Sequence, residues 1–227
     1  MRTLLAILSI LAGPIWAEEV RPKPRPAPDF IPVTRWDHRS EADDWSRAAL
    51  QALKTHGRSL VRTVPRDIAQ WCPGYEHASD AARRAFWVGL LSGVAKYEST
   101  WNPRAVGGGQ WYGLMQIWPT TARHFGCRAQ NGAALKDGSA NLSCAIRILS
   151  KTIPRDGVVH ARSPRWSGVA ADWAPMRKPG ARRDIRKWVR GQHYCQLTAS
   201  PRPVPRPVAE IEIYGPQPLD VELTDAG

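Results

Sequence analysis

Between residues 36 and 199 the apolar positions recur three or four apart, the spacing of helices, and seldom alternate as strands require. Trp45, Ala49, Ala52 and Leu53 form one stripe behind Ser40 and the acidic run EADD, an arrangement that suits an N-cap with anions in the first turn. Pro65 suits the first turn of a short helix ending near Trp71. The longest helical stretch starts at Ser79 or Asp80 and runs to about Ser99, where Pro103 pushes Asn102 out of helical geometry. Pro119 opens another short turn, Leu142, Ala145, Ile146 and Leu149 make a further stripe, and residues 164–173 and 180–190 complete the helical set. No alternating run is long enough for a substantial sheet and no repeat is present, so the only strands expected are a small β-hairpin near the glycines at 107–109. The predicted fold is mainly α: a single helical domain.

The ends of the chain read differently. Residues 1–17 carry Arg2, a mostly apolar run from Leu4 to Ala12, then Gly13, Pro14 and Ala17, which is the pattern of a cleaved secretory signal. The run is too short for a bilayer, and no cysteine precedes Cys72 to take a lipid, so no stable membrane anchor is expected. Proline supplies five of residues 21–32 and six of residues 201–218, marking extended tails. The expected organisation is signal peptide 1–17, proline-rich linker 18–35, globular domain 36–199 and acidic, proline-rich disordered tail 200–227. Export makes Cys72, Cys127, Cys144 and Cys195 candidates for two disulfides among three possible connectivities. Cys127 with Cys144 and Cys72 with Cys195 is the preferred pairing, because the second bridge ties the front of the domain to its last helix. A zinc site is disfavoured, since no two cysteines have the spacing of a metal knuckle and the six histidines are scattered. No metal or cofactor is expected.

Charge narrows the function classes. The chain of 227 residues carries a formal net charge of +12, and residues 36–199 hold 25 cationic against 12 anionic side chains. General disorder and a polytopic membrane protein are excluded by 43% hydrophobic content without long apolar runs. A basic body invites nucleic acid, yet no helix-turn-helix, RNP or zinc-finger pattern occurs, and the expected export removes the chain from cytoplasmic nucleic acid. No nucleic-acid partner is expected. Eleven tryptophans serve a core or a sugar-stacking surface equally well.

One carboxyl stands out. Glu98 continues the face made by Trp87, Leu91 and Val94 on the longest helix, and it falls in the last turn, where the backbone dipole disfavours an anion. Partial burial and the dipole both favour the protonated form that a general acid requires. A solvated glutamate at a frayed helix end is the alternative reading of position alone.

The run AKYESTWNPRAVGGGQWYGLMQIWPTTARHFG, residues 95–126, resembles the catalytic core of the soluble lytic transglycosylases, relatives of goose-type lysozyme. Glu98 and Ser99, trailed by Asn102 and Pro103, are similar to that family's catalytic Glu-Ser and Asn-Pro. Gly113, Leu114, Met115, Gln116 and Ile117, followed by Pro119, Thr121 and Ala122, are similar to its second motif, and Asn141 and Leu142 suit a later Asn-Leu element. The resemblance covers roughly residues 85–175 and implies an α+β, lysozyme-like fold. The family's Ala-Tyr-Asn element corresponds here to Ala171, Asp172 and Trp173, so its tyrosine is missing. Either Tyr112, Tyr97 or Trp173 takes over its orienting role, or the alignment slips at this element, or the acid is positioned differently here; Asp172 could also act as a second carboxylate.

What the resemblance implies is an exported, periplasmic or extracellular, monomeric enzyme that cleaves the bond between N-acetylmuramic acid and N-acetylglucosamine in peptidoglycan glycan strands. Glu98 is the expected catalytic residue, acting as acid and then as base, with formation of a 1,6-anhydro end. Ser99, Tyr112, Gly113, Leu114, Met115, Gln116, Asp172 and Trp173 are the expected substrate-binding residues. Gly113 would admit backbone to the sugar, Met115 would give an apolar contact, Gln116 would meet an acetamido group, and Tyr112 and Trp173 would stack on pyranose rings. A hydrolysing muramidase and a noncatalytic wall-binding scaffold are the rivals. Service to wall turnover, to secretion machinery or to flagella is left open.

Overall fold

The computed structural model describes residues 30–196. The expected signal peptide 1–17, most of the 18–35 linker and the acidic tail 200–227 lie outside the described residues.

Eight α-helices and two short hairpins make the described body. They run α1 (Ala42–Lys54), α2 (Arg58–Arg62), α3 (Ile68–Trp71), α4 (Asp80–Ser99), β1 (Val106–Gly107), β2 (Trp111–Tyr112), α5 (Pro119–His124), α6 (Gly138–Asp156), β3 (His160–Ala161), β4 (Ser167–Gly168), α7 (Val169–Asp172) and α8 (Pro179–Arg190). Strands β1 and β2 pair antiparallel with Val106 opposite Tyr112, the hairpin expected at the glycines. This is the mainly helical, lysozyme-like α+β arrangement that the sequence leads one to expect.

The centre is α4. Ser79 caps it by accepting from the Ala82 amide at 3.3 Å, and every residue from Ala85 to Ala95 is buried. A helix enclosed on all sides needs apolar side chains all round, which is why its pattern shows no strong one-sidedness. Helix α8 packs on α4, while α1 and α2 pack on α6. Trp36, Trp71 and Trp87 are wholly enclosed, so much of the tryptophan excess builds the core.

Helix α6 contains Pro154, whose nitrogen cannot bond the carbonyl of Ser150 one turn earlier. The Ser59 hydroxyl of α2 donates to that carbonyl instead, at 2.8 Å, so the defect becomes a helix-to-helix tie.

Several local expectations need correction. The N-cap of α1 is Glu41 and its side chain makes no cap bond; Ser40 donates sideways to the Glu41 carboxylate. The short helix after Pro65 begins only at Ile68, and α2 went unanticipated. The expected helix 164–173 is mostly absent. Ser167 and Gly168 pair with β3, and Gly168 sits at φ +66° where a Cβ would meet the Val158 and Val159 carbonyls at 2.4 Å. Only Val169–Asp172 is helical. Residues 32–35, read as the end of an unpacked linker, lie on the body: Pro32 and Thr34 are buried and the Arg35 amide donates to the Ser92 hydroxyl at 3.0 Å.

Both preferred disulfides are present, Cys72–Cys195 and Cys127–Cys144, spanning 123 and 17 residues. The longer loop restricts the unfolded chain more, by about 5 against about 3 kcal/mol in the chain-entropy treatment. Replacing Cys72 and Cys195 by alanine is therefore expected to lower the urea-unfolding free energy more than the same change at Cys127 and Cys144. The reverse order would contradict this.

Candidate active site

Helix α4 ends just past Glu98 because Thr100 and Trp101 both take left-handed backbone angles, φ +52° and +56°. Their amides bond back to the Lys96 and Ala95 carbonyls, closing the last turn. The Trp101 indole then folds back along the helix and donates to the Ser92 carbonyl at 2.9 Å. Asn102 accepts from the Arg104 amide at 2.9 Å, which turns the chain toward β1. The Asn-Pro pair thus redirects the chain after the carboxyl.

The segment from Gly113 to Ile117 is a tight turn, with Tyr112 and Ile117 exchanging backbone bonds of 3.1 and 3.0 Å across its base. Three side chains fasten it. Ser99 donates to the Leu114 carbonyl at 2.9 Å, and the Trp173 indole donates to the Met115 carbonyl at 2.9 Å. Asn141, fully buried on α6, donates to the Tyr112 and Leu135 carbonyls at 2.9 Å each and accepts from the Met115 amide at 2.8 Å. Gly113 is required here: at φ +78° a Cβ would lie 2.1 Å from the Leu135 carbonyl oxygen and 2.4 Å from the Asn141 amide nitrogen.

Glu98, Trp111, Gln116, Asp172, Trp173, Ala174 and Arg177 line one groove of about 380 Å³. Larger hollows exist elsewhere, one of about 680 Å³ beside α8 among them, but none of the larger ones contains Glu98 or Asp172. Burial pushes the Glu98 carboxyl up to about 7, against a smaller opposing pull from Lys178. Among the described residues no hydrogen bond reaches it. Asp172 is pushed up to about 6 as protein displaces water around its carboxyl, although the residue as a whole is exposed at the rim; Arg155, the Thr152 hydroxyl and Arg177 pull the other way. Gln116, at φ +46°, donates to the Gly113 carbonyl at 2.9 Å.

Of the residues expected to meet substrate, the groove gathers Gln116, Asp172 and Trp173 around Glu98 and leaves out the rest. Ser99 holds the turn rather than facing the groove. Leu114 and Met115 have no exposed surface, and Gly113 admits Asn141 and Leu135 rather than a sugar. Tyr112 points to the far side of the hairpin, against Gly132 and under the Lys136 ammonium, with its hydroxyl on the Gly109 carbonyl. Trp173 lines the groove but is only 3% exposed, so it forms a floor and cannot offer a free stacking face. The exposed indole is that of Trp111, at 44%, one residue earlier on the strand than the side chain favoured from sequence. Arg177 was missed; it follows α7 and has no distinguishing local pattern. Neither Tyr97, which donates to Asp184, nor Tyr112 nor Trp173 has its polar atom on Glu98, so none of the three replaces the missing tyrosine by direct contact. The described residues contain no cluster of His, Cys, Asp and Glu able to hold a metal.

A helix-end acid beside a clamped turn, in a groove of a lysozyme-like α+β fold, is an arrangement able to donate a proton to a bound ligand. The family model described as "Transglycosylase SLT domain" matches residues 77–162, a span containing Glu98 and the whole turn. Over these residues the chain matches a transglycosylase SLT domain, which supports a peptidoglycan lytic transglycosylase. Among solved structures it is similar to Bd0314 DslA in wild-type form 2, at 26% identity and TM-score 0.67, covering 74% of this chain and all of that one. A glutamate-to-glutamine mutant of Bd0314 DslA matches at 27% identity and TM-score 0.66, covering 75% of this chain and all of that one. No curated protein matches the chain.

The raised value at Glu98 links to stability with a definite sign. The folded protein holds this proton more tightly than the unfolded chain, whose glutamate titrates at 4.5, so the stabilisation is full below 4.5 and is lost as pH rises through about 7. Glutamine does not ionise. The stability of Glu98→Gln relative to wild type is therefore expected to rise by about 1–3 kcal/mol between pH 5 and pH 8 in urea titrations. A difference independent of pH would contradict the raised value.

Proposed function

We propose that the chain cleaves the glycosidic bond between N-acetylmuramic acid and N-acetylglucosamine with Glu98 as its acid and then its base, leaving a 1,6-anhydro end. The observation that carries this reading is the Glu98 carboxyl, held near a pKa of about 7 with no hydrogen-bond donor to favour its anion. Breaking the bond needs a proton on the departing oxygen and stabilisation of positive charge at the anomeric carbon. Protonated Glu98 supplies the proton. In the substrate-assisted route the neighbouring acetamido oxygen attacks the anomeric carbon. Glu98, now ionised, takes the proton of the C6 hydroxyl, whose oxygen closes the anhydro ring. A pKa near neutrality suits both halves.

Trp111 supplies a flat apolar face at the groove, and Gln116 offers an amide edge to an acetamido group. The basic body favours a polymer whose peptide stems carry carboxylates. Two disulfides fit an oxidising compartment, and among the described residues no helix is long and apolar enough to cross a membrane. With the leader-like residues 1–17, these support action outside the cytoplasm, in the periplasm or beyond.

A hydrolysing muramidase is the second reading, favoured by one observation: Asp172 shares the groove with Glu98. Mass spectrometry of muropeptides released from purified sacculi separates the two, because anhydro ends are one water lighter than reducing ends. Anhydro ends are expected, with kcat falling as pH rises through about 7 and Glu98→Gln abolishing release while glycan binding persists. Reducing ends would establish the hydrolase, and full activity of Glu98→Gln would remove Glu98 from the chemistry.

A further inference from the structure

Asp172 is the last residue of α7 and, with Glu98, one of the two carboxyls lining the groove. Two arginines lie close enough to act on its charge, and both are engaged elsewhere. Arg155 forks onto Asp156 with bonds of 2.7 and 3.0 Å. Arg177 places Nε and Nη2 on the Ala170 and Ala171 carbonyls at 2.7 Å each, which caps the C-terminal end of α7. Asp172 belongs to none of the ion pairs among the described residues. The Thr152 hydroxyl, which donates to the Ile148 carbonyl at 3.4 Å, is near enough to help favour the Asp172 anion. The result is a carboxyl at the rim of the groove that Glu98 also lines, in no ion pair among the described residues.

A group so placed is complementary to positive charge that appears only while substrate reacts. In the substrate-assisted route of the proposed function, that charge has a definite home. As the acetamido carbonyl oxygen bonds to the anomeric carbon, the bond to the leaving oxygen breaks, the Glu98 proton goes to that oxygen, and the new five-membered ring becomes an oxazolinium with its N–H partly positive. When the C6 oxygen bonds to the anomeric carbon, its proton returns to Glu98 and the ring reopens to the acetamide. No further reactant is consumed.

We propose that Asp172 accepts the acetamido N–H of the muramyl residue, turning its carbonyl oxygen toward the anomeric carbon and stabilising the oxazolinium, in place of the tyrosine that this chain lacks. The inference rests on the proposed single-acid mechanism and adds a carboxylate to it. Burial raises both carboxyls toward neutrality, Asp172 to about 6 and Glu98 to about 7. The groups acting on Asp172 are Arg155 and Asp156 of α6, Thr152 and Arg177; the group acting on Glu98 is Lys178.

The test compares wild type with Asp172→Asn and Asp172→Glu on purified peptidoglycan. It also measures binding of two probes by calorimetry: a thiazoline analogue of the amino sugar, which copies the bicyclic intermediate, and an N-acetylglucosamine oligomer, which copies the ground state. Asp172→Asn is expected to lower kcat on the order of 10²-fold with KM within about threefold, and to weaken the thiazoline at least about tenfold while oligomer binding holds. Asp172→Glu keeps the charge and is expected to recover part of kcat. Equal loss of both probes would assign Asp172 to general binding or folding and overturn the proposal, as would kcat and thiazoline affinity within about twofold of wild type. Failure of the underlying mechanism looks different: reducing ends from wild type, or activity in Glu98→Gln. Anhydro ends with an inert Glu98→Gln and an unaffected Asp172→Asn would sink this inference alone.

Discussion

A carboxyl on the last turn of α4 has to shed water to sit in the groove, faces the negative end of its own helix, and meets no hydrogen-bond donor among the described residues. Ionisation there is opposed from two directions, so the proton stays on Glu98 to about pH 7. The rest of the site serves this constraint. The turn Gly113–Ile117 is held in place by Ser99, Asn141 and Trp173, which bind two of its carbonyls, one of its amides and the flanking Tyr112 carbonyl, and those three residues come from α4, α6 and the end of α7. Each tie spends a buried polar group on a backbone partner, which fixes the wall without leaving unpaired atoms. The same ties bring the three motif segments, distant in sequence, to one place.

Much of this was legible from the chain. Helix α4 and its end were written in Ser79 and in the Asn102–Pro103 pair, and Glu98 was marked by its spacing from Val94 and Leu91. The disulfide pairing followed from export and loop arithmetic. What failed was the step from motif membership to contact. Gly113, Leu114 and Met115 belong to a motif beside the groove, yet their side chains or hydrogen face the core, because a tight turn cannot present all of its residues to one side. Trp111 and Tyr112 alternate on β2, so a one-residue ambiguity sends the aromatic to opposite faces. No local pattern could decide it. The second hairpin was hidden because two-residue strands carry no periodicity, and its pairing depends on Gly168 meeting Val158 and Val159 across the chain.

The departure from the family's third element now has a structural shape. Trp173 supplies mechanical support, fastening the turn from below, while Asp172 brings a charge to the rim. A tyrosine could offer a hydroxyl at such a place. An aspartate offers a carboxylate acceptor once ionised, and its neighbours Arg155 and Arg177 are held by other bonds. The groove therefore holds two carboxyls that burial raises toward neutrality.

The central claim is that Glu98 keeps its proton into the neutral range, and the direct measurement is a carbon-13 NMR titration of its side-chain carboxyl, assigned by comparison with Glu98→Gln. The account predicts a midpoint near 7. A midpoint near 4.5, the value of a solvated glutamate, would contradict it.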